Sequence, residues 1–515
     1  KFSITSDYSF VNPNLGLDTL DSDPSADTGI TETIALLEGS ENLTIDAGLW
    51  NSSSKCEDTI LDNPHSLIWN TYLQQINIAT VRNTCNSAIT GQFIVRDASG
   101  SVLDSIALTL GAKGMRDIIV NDAANVTTNS YGSIEIVADT DNCLDSFMHF
   151  YKLSANGSYE YATILPALKP LTGNSFANYN TYNPSANPAD QGNAIWNWVQ
   201  ITNLESSPKS FTKLIYGQLG ELLESEVLTI PAGGRVDSQG GHENPGLDRT
   251  GILKIVPSDP SSKYLAQVFR YGTNAPTGIS PTEIDFSIAA SFESGEMNCS
   301  WVNISNKGEA TNWLTVSNLE GYATGYSITF IDSLGGMSLM QEFTVPASGQ
   351  YIFNAGNELP QNNSGVAKVC STAPAAKFLL ESASYWVDAT QSISAAFAES
   401  SGKGKCQANT LSYNTFLGQS NFLRITSLEN HVVDVIINVY ALDGTVISST
   451  HQWVQPGYML EFDLESSPFL APNNSYGIVE VVQDPSTPGS IRTEILKVGY
   501  DRNAKVSLAS VVSGI

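Results

Sequence analysis

The chain has 515 residues, which is enough for roughly three to four domains of ordinary size. Its net charge of −27 opposes binding to nucleic acid and to anionic lipid, since both carry negative phosphates. The charge reflects a shortage of bases, because 52 Asp and Glu stand against only 25 Lys and Arg. With 41% hydrophobic residues, the chain is suited to packed domains rather than to a disordered acidic tail. No apolar run reaches the length of about 18 residues that a membrane span requires.

Residues 1–50 are acidic and differ from everything that follows. Their landmarks are Asp-Ser-Asp at 21–23, a turn at Thr28 and Gly29, Leu-Glu-Gly at 37–39, and Ile-Asp-Ala-Gly-Leu at 45–49. With these features the segment resembles the C-terminal half of an SdrD B-type domain, a CnaB-like β-sandwich of bacterial surface adhesins. The resemblance implies calcium as a cofactor, with four carboxylates as its oxygen ligands: Asp18, Asp21, Asp23 and Asp27. A solvated, Asp-rich turn is the alternative interpretation.

Half a sandwich leaves a strand edge and an apolar face without partners. Either the sequence begins within a domain, or the protein is proteolytically processed, or the missing strands come from another subunit. The third explanation is donor-strand complementation, in which a terminal strand of one protomer completes the next. It predicts a homo-oligomer or polymer assembled through terminal strands, because a head-to-tail interface that does not close produces a filament.

A long internal repeat occupies the rest of the chain. Each copy begins with a similar strand, at Tyr72, Trp198, Trp313 and Phe422. A first turn then ends at Gly100, Gly220, Gly335 or Gly444, and a second turn ends at Gly114, Gly234, Gly349 or Gly457. A further strand opens with Gly132, Gly251, Gly365 or Gly477, at spacings of 119, 114 and 112 residues. Four landmarks in one order at nearly constant spacing indicate four copies of one module.

Each copy has about seven short strands separated by turn signals and lacks helical periodicity, which is typical of a β-sandwich. We therefore predict an all-β fold, a tandem array of four Ig-like antiparallel β-sandwiches after a partial CnaB-like domain. The modules loosely resemble Ig-like modules of bacterial surface proteins. The predicted boundaries are 1–50 for the partial domain and 51–170, 171–292, 293–400 and 401–515 for repeats 1 to 4.

Alternation within the Gly-opened strands predicts which side chains face water. The third residue after each glycine is charged and lies between apolar neighbours: Glu135, Lys254, Lys368 and Glu480. Cys370 follows Lys368 by two residues, so it shares the outward face and is available for cross-linking. We interpret the segments that begin SIAAS, SISAA and VSLAS as linkers between modules. Because these linkers are short, they predict that the modules form a stiff rod.

Cysteine spacing argues against metal binding and leaves disulfides open. The candidates are Cys56, Cys85, Cys143, Cys299, Cys370 and Cys406, and no two of them form a CxxC pair. Local disulfides and inert thiols are both compatible with this pattern. Because the first module holds three cysteines, the third two and the fourth one, they cannot all pair within modules. This predicts either a Cys370–Cys406 bridge across a junction or a bond to a neighbouring subunit.

Signs of catalysis are few, and we predict no enzymatic activity. The five histidines fall at unrelated places in the repeat, and no nucleophile elbow or phosphate-binding loop occurs. A cluster of aromatic residues in repeat 2, formed by Trp196, Tyr179 and Tyr182, is a candidate platform for saccharides. Core packing is the alternative, and it is the default for Trp198, which lies on the recurring strand.

These observations favour a structural or adhesive extracellular protein, a subunit of a prokaryotic cell-surface filament, stalk or layer, with surface glycans as candidate partners. The alternative is a non-catalytic carbohydrate-binding or spacer region of a large secreted enzyme. Few bases leave Ser, Thr, Asn and Gly to cover the sandwiches, which predicts close subunit packing with few desolvated charges.

Overall fold

The computed structural model is all-β, as predicted. It describes the backbone of 8–10 and 49–51, residues 65–140, 143–153, 159–181, 195–243, 249–273, 284–373, 375–387, 393–402, 408–484, 489–500 and 506–513, and the single residues 246, 404 and 487. Among these residues the only helical segments are short 3-10 turns: Tyr72–Gln74, Val120–Asp122, Lys307–Glu309, Ala355–Glu358 and Phe416–Gly418. Near the N-terminus, β1 (Tyr8–Phe10) pairs antiparallel with β2 (Leu49–Asn51).

Four modules of eight strands follow. Module 1 contains β3 (His65–Asn70), β4 (Ile76–Asn83), β5 (Ile89–Asp97), β6 (Val102–Leu110), β7 (Met115–Ile119), β8 (Tyr131–Ala138), β9 (Leu144–Leu153) and β10 (Tyr159–Pro166). Module 2 contains β11 (Ser175–Asn180), β12 (Ile195–Asn203), β13 (Lys209–Gly217), β14 (Leu222–Ile230), β15 (Arg235–Gln239), β16 (Thr250–Pro257), β17 (Tyr264–Gly272) and β18 (Phe286–Ser291).

Modules 3 and 4 repeat the pattern. Module 3 contains β19 (Cys299–Ser305), β20 (Ala310–Asn318), β21 (Thr324–Asp332), β22 (Met337–Val345), β23 (Gln350–Asn354), β24 (Ser364–Ser371), β25 (Phe378–Val387) and β26 (Ile393–Ser400). Module 4 contains β27 (Asn409–Asn414), β28 (Ser420–Ser427), β29 (Val433–Ala441), β30 (Val446–Val454), β31 (Met459–Asp463), β32 (Tyr476–Gln483), β33 (Ile491–Tyr500) and β34 (Val506–Ser513).

Every module is a sandwich of two antiparallel four-stranded sheets. The first, third, fourth and sixth strands form one sheet in the order 1-6-3-4, and the others form a second sheet in the order 5-2-7-8. Apolar side chains between the sheets form a core, for example Leu411, Ile425 and Val481 in module 4. Seven strands were expected, and the eighth comes from the segments interpreted as linkers, which form β18, β26 and β34.

The modules are arranged as a closed ring, so the prediction of a stiff rod is wrong. The eighth strands contact each other in a cycle, β10 with β18, β18 with β26, β26 with β34, and β34 with β10. These strands carry small side chains where they meet, including Ala289, Ala396 and Ala509. Small residues allow four strand edges to approach a common axis, which explains why the supposed linkers are rich in Ala and Ser.

At the outside of the ring, the first turn of each module contacts the second turn of the next. A backbone N–H of the following module donates to a carbonyl of the preceding one at all four junctions. The pairs are Arg235 to Ala98 (2.9 Å), Gln350 to Gln218 (2.8 Å), Met459 to Ser333 (3.1 Å) and Met115 to Leu442 (3.1 Å). The last bond joins module 4 back to module 1 and closes the ring.

The recurring first-turn glycines are explained by these junctions. Gly100, Gly220, Gly335 and Gly444 have φ values of 89°, 89°, 76° and 86°. This left-handed region favours glycine. A Cβ atom at Gly444 would also collide with the backbone carbonyl oxygen of Ala112 in module 1. Glycine is therefore needed both for the turn and for the approach of the neighbouring module.

Each junction between modules also buries one arginine. Arg82, Arg235, Arg270 and Arg492 are 0%, 1%, 1% and 7% exposed. They donate across the junctions to Thr410 O, Trp69 O, the Glu381 carboxylate and Trp301 O, respectively. These four arginines therefore serve as contacts between modules rather than as surface charges.

Ring closure also changes the environment of one residue predicted to face water. Glu135 is half-exposed and pairs with Arg96 at 2.7 Å, in agreement with the alternation. Glu480 is buried, because Lys113 of module 1 covers it with an Nζ–Oε1 distance of 2.6 Å. The alternation placed Glu480 on the outer face of its own sandwich, and that face is covered by another module.

Two disulfides lie within modules. Cys85 is bonded to Cys143 in module 1, and Cys299 is bonded to Cys370 in module 3. The predicted Cys370–Cys406 bridge is therefore wrong: Cys299 is the register partner of Cys370 on the adjacent strand, with a Cα–Cα distance of 4.0 Å. Cys56 and Cys406 lie outside the described residues.

Candidate functional site

The structure describes some of the predicted site residues and not others. Asp18, Asp21, Asp23, Asp27 and Tyr182 lie outside the described residues. Trp196 is partly buried and stacks on His242, with ring centroids 5.6 Å apart, whereas Tyr179 belongs to the core of module 2. Trp198 shares the Trp196 face of β12 and also contacts His242, at 5.2 Å. In the part of the chain that is described, no group of three or more His, Cys, Asp or Glu side chains is placed to hold a metal.

A cavity of about 690 Å³ lies at the junction of modules 2 and 3. Module 2 contributes the end of β11, the turn after β13, the start of β16 and one residue of β17: Asn178, Tyr179, Asn180, Gly217, Gln218, Leu219, Glu221, Arg249, Thr250 and Arg270. Module 3 contributes β20, β23 and β25: Trp313, Thr315, Gln350, Ile352, Glu381, Ala383 and Tyr385. We call this space the junction cavity.

The repeat explains why space remains at this junction. The first residue of the sixth strand faces the next module, and it is Tyr131 in module 1, Tyr476 in module 4, but Thr250 in module 2 and Ser364 in module 3. The sixth residue of the seventh strand approaches from the following module, and it is His149, Phe269, Ala383 and Leu496 in modules 1 to 4. Only the junction of modules 2 and 3 has a small residue at both positions.

A buried ion pair forms one wall of the junction cavity. Both terminal nitrogens of Arg270 donate to the two carboxylate oxygens of Glu381, each at 2.8 Å, and Nη2 also donates to Asn178 O at 2.8 Å. Burial lowers the pKa of Arg270, but the Glu381 carboxylate more than offsets this effect, so that the pKa is raised. The pair is fixed in position and has no net charge.

A second polar group joins the modules beside this pair. The Gln350 side chain donates from Nε2 to Asn178 Oδ1 at 3.0 Å, to Gly251 O at 2.9 Å and to Ser317 Oγ at 3.0 Å. Ser317 Oγ donates in turn to Asn178 Oδ1 at 2.6 Å. This network holds β11 of module 2 against β20 and β23 of module 3, and it makes the cavity wall rigid.

Three aromatic side chains complete the lining: Tyr179, Trp313 and Tyr385. Burial raises the pKa of Tyr385 to about 12, although the nearby Arg270 guanidinium acts in the opposite direction. Burial likewise raises the pKa of Tyr179. Both phenols therefore stay protonated at neutral pH, and they act as hydrogen-bonding groups rather than as a catalytic base.

Several polar atoms of the lining residues have no hydrogen-bond partner in the protein. They are Tyr179 Oη, Thr250 Oγ1, Arg270 Nε and Gln350 Oε1. An unpaired buried polar atom costs about 1–3 kcal/mol. Because four such atoms belong to residues that line an open cavity, this junction is a candidate site for a polar ligand.

The repeats contain a signal for this site that the sequence-based prediction missed. The residue before each strand-opening glycine is Tyr in two copies and Thr250 or Ser364 in the others. An alignment of the four repeats at this position would have identified the two junctions that lack the aromatic ring. The ion pair between Arg270 and Glu381 has no such signal, because its partners are 111 residues apart.

The corresponding position in module 4 leads to a pH prediction. Lys497 occupies the place of Arg270 at the junction of modules 4 and 1, where Asp117, Arg82 and His149 face it. Burial lowers the pKa of Lys497 to about 7, with Asp117 opposing the shift and Arg82 reinforcing it. Between pH 7 and 10.5 the unfolded chain binds this proton more tightly, so the free energy of unfolding rises with pH in that window.

Lys497→Met is expected to raise the free energy of unfolding at pH 7 by a few kcal/mol, since one pKa unit corresponds to about 1.4 kcal/mol. The gain should shrink as the pH rises and vanish above pH 10.5, where the wild-type lysine is neutral in the unfolded chain as well. Urea unfolding across this pH range measures both effects. The exposed Lys263→Met is the control and should show no such trend. A gain independent of pH would contradict the prediction.

Comparison with known proteins leaves the site to be interpreted from its own chemistry. No protein-family model matches the sequence, and a search of characterised proteins found no significant match. No described helix has the length and apolar character needed to cross a membrane.

Proposed function

We propose that this chain is an extracellular structural and adhesive protein, a subunit of a filament, stalk or layer at a prokaryotic cell surface. The closed ring of four sandwiches is the observation that carries the proposal. Such a ring is a rigid block, because every junction is held by backbone hydrogen bonds and a buried arginine. The two disulfides support an oxidising compartment outside the cytoplasm.

Assembly into a polymer is proposed to proceed through the N-terminal segment. The four junctions pair the modules within one chain, so those surfaces are occupied. The last strand, β34, pairs with β33 and contacts β10 and β26, so it is not free to complete another subunit. Residues 1–50, which resemble half of a CnaB-like sandwich, remain as the proposed link between blocks, with calcium as the proposed cofactor at Asp18, Asp21, Asp23 and Asp27.

Negative-stain microscopy of the full chain tests this proposal. We expect compact four-lobed particles joined into linear arrays as protein and calcium concentrations rise. Asp21→Asn/Asp23→Asn should weaken the arrays and leave the particles intact, whereas Asp122→Asn, at an exposed position in module 1, should change neither. Isolated particles under all conditions would contradict self-assembly.

The second candidate is a non-catalytic carbohydrate-binding or spacer region of a large secreted enzyme. The junction cavity favours binding over a spacer role, because it has a polar and aromatic lining. Neither candidate assigns a catalytic step to the described residues.

A further inference from the structure

We propose that the junction cavity between modules 2 and 3 binds a neutral saccharide unit. The inference rests on the cavity alone and does not require the chain to polymerise. The cavity shares Tyr179 with the platform that the sequence suggested, whereas Trp196 lies outside it.

The charge of the lining selects a neutral ligand. The cavity contains two arginines, Arg249 and Arg270, and two glutamates, Glu221 and Glu381. Arg270 and Glu381 neutralise each other through two hydrogen bonds. An anion such as phosphate would have to compete with a carboxylate that is already bound to the buried guanidinium. A neutral ligand meets no such competition.

The hydrogen-bonding groups match a ligand with several hydroxyls. Arg270 Nε donates, Gln350 Oε1 accepts, and the hydroxyls of Thr250 and Tyr179 do both. Each sugar hydroxyl is likewise both donor and acceptor, so one ring is able to meet this mixed set. These atoms are almost fully covered in the free protein, so binding requires small side-chain shifts.

Trp313 supplies the apolar contact that a pyranose ring needs, because its indole is only partly buried in the wall. Tyr385 and Tyr179 are 2% and 1% exposed, so their ring faces are already covered by the protein. Aromatic faces pack on the C–H face of a sugar ring, while the ring edge remains available for hydrogen bonds. An aliphatic polyol without a flat face would lose this contact.

Size and access also fit. A volume of about 690 Å³ lies within the usual range of about 300–1,000 Å³ for small-molecule sites. Leu219 is 76% exposed and Arg249 is exposed, so the cavity opens to solvent beside the first turn of module 2. A sugar at the end of a longer glycan is able to enter through this opening.

Ligand binding is tested with the full chain by saturation-transfer NMR and calorimetry. The probes are glucose, galactose, mannose, N-acetylglucosamine and their common disaccharides, with citrate and spermidine as charged comparisons. Thr250→Tyr inserts the residue that modules 1 and 4 carry at the same place, and its ring should narrow the cavity. Trp313→Phe keeps a smaller ring and serves as a milder variant. Trp196→Ala is the control outside the cavity.

We expect at least one neutral sugar to bind, with affinity reduced about tenfold or more by Thr250→Tyr, an amount typical of losing one good contact. Trp313→Phe should cause a smaller loss, and Trp196→Ala should cause none. If Thr250→Tyr does not fold, the wild-type Trp313 indole NMR signal, assigned through Trp313→Phe, should still shift upon sugar addition. Binding of none of these sugars, binding only of charged probes, or binding unaffected by Thr250→Tyr would overturn the proposal.

Discussion

Glu381→Ala is expected to lower the free energy of unfolding by about 3–5 kcal/mol, because it leaves a buried arginine without its counter-charge. Arg270 is 1% exposed, and both of its terminal nitrogens bond to Glu381. The remaining acceptor, Asn178 O, carries only a partial charge. Urea unfolding followed by circular dichroism measures the loss.

Two control variants distinguish the cost of leaving a buried charge uncompensated from the loss of an ion pair as such. Arg270→Met/Glu381→Leu removes both charges and should recover most of the lost stability, since a well-packed apolar pair replaces a buried ion pair at little cost. Lys209→Ala breaks a partly exposed pair with Asp259 within module 2 and should change stability little. A double variant as unstable as Glu381→Ala would show that packing, rather than uncompensated charge, dominates this junction.

Gly444→Ala is expected to open the ring between modules 4 and 1. The residue has a φ of 86°, which costs an alanine about 1–2 kcal/mol. The added Cβ also collides with the Ala112 carbonyl oxygen, so the two turns must separate. Small-angle X-ray scattering should show a larger radius of gyration, and the Met115 N–H should exchange faster as its bond to Leu442 O is lost.

Gly418→Ala is the matched control in the same module. Its φ of 71° imposes a similar backbone strain, but nothing lies within 4 Å of the added Cβ atom. This variant should lose stability without any change in scattering. Equal scattering for both variants would mean that the first-turn glycines serve only the turn geometry.

Local patterns made the module predictable. Strand alternation and turn glycines report on neighbours within a few residues, and four copies of the pattern reinforce one another. They predicted the all-β sandwich, the hairpin turns and the outward position of Cys370. The eighth strand was not predicted because its small residues resemble a linker. These small residues are needed where the four eighth strands meet at the ring axis.

The candidate site was predictable only in part. Tyr179 was named from the sequence, but it was grouped with Trp196, which packs on His242 instead. Alternation along a strand separates the two faces of a sandwich, yet it does not say which face another module will cover. The sequence shows that Thr250 replaces the tyrosine found at Tyr131 and Tyr476. That this replacement leaves a cavity becomes clear only when the structure places Ala383 opposite Thr250.

Local sequence patterns were enough to define the module, its number of copies and the turns that join its strands. The tertiary structure was needed to show that the four modules close into a ring, that Glu480 is buried, that Cys370 bonds Cys299, and that a cavity remains between modules 2 and 3. The physical reason is distance along the chain. Sheet periodicity depends on contacts between residues close in sequence, whereas ring closure depends on surfaces more than a hundred residues apart, whose complementarity no local pattern records.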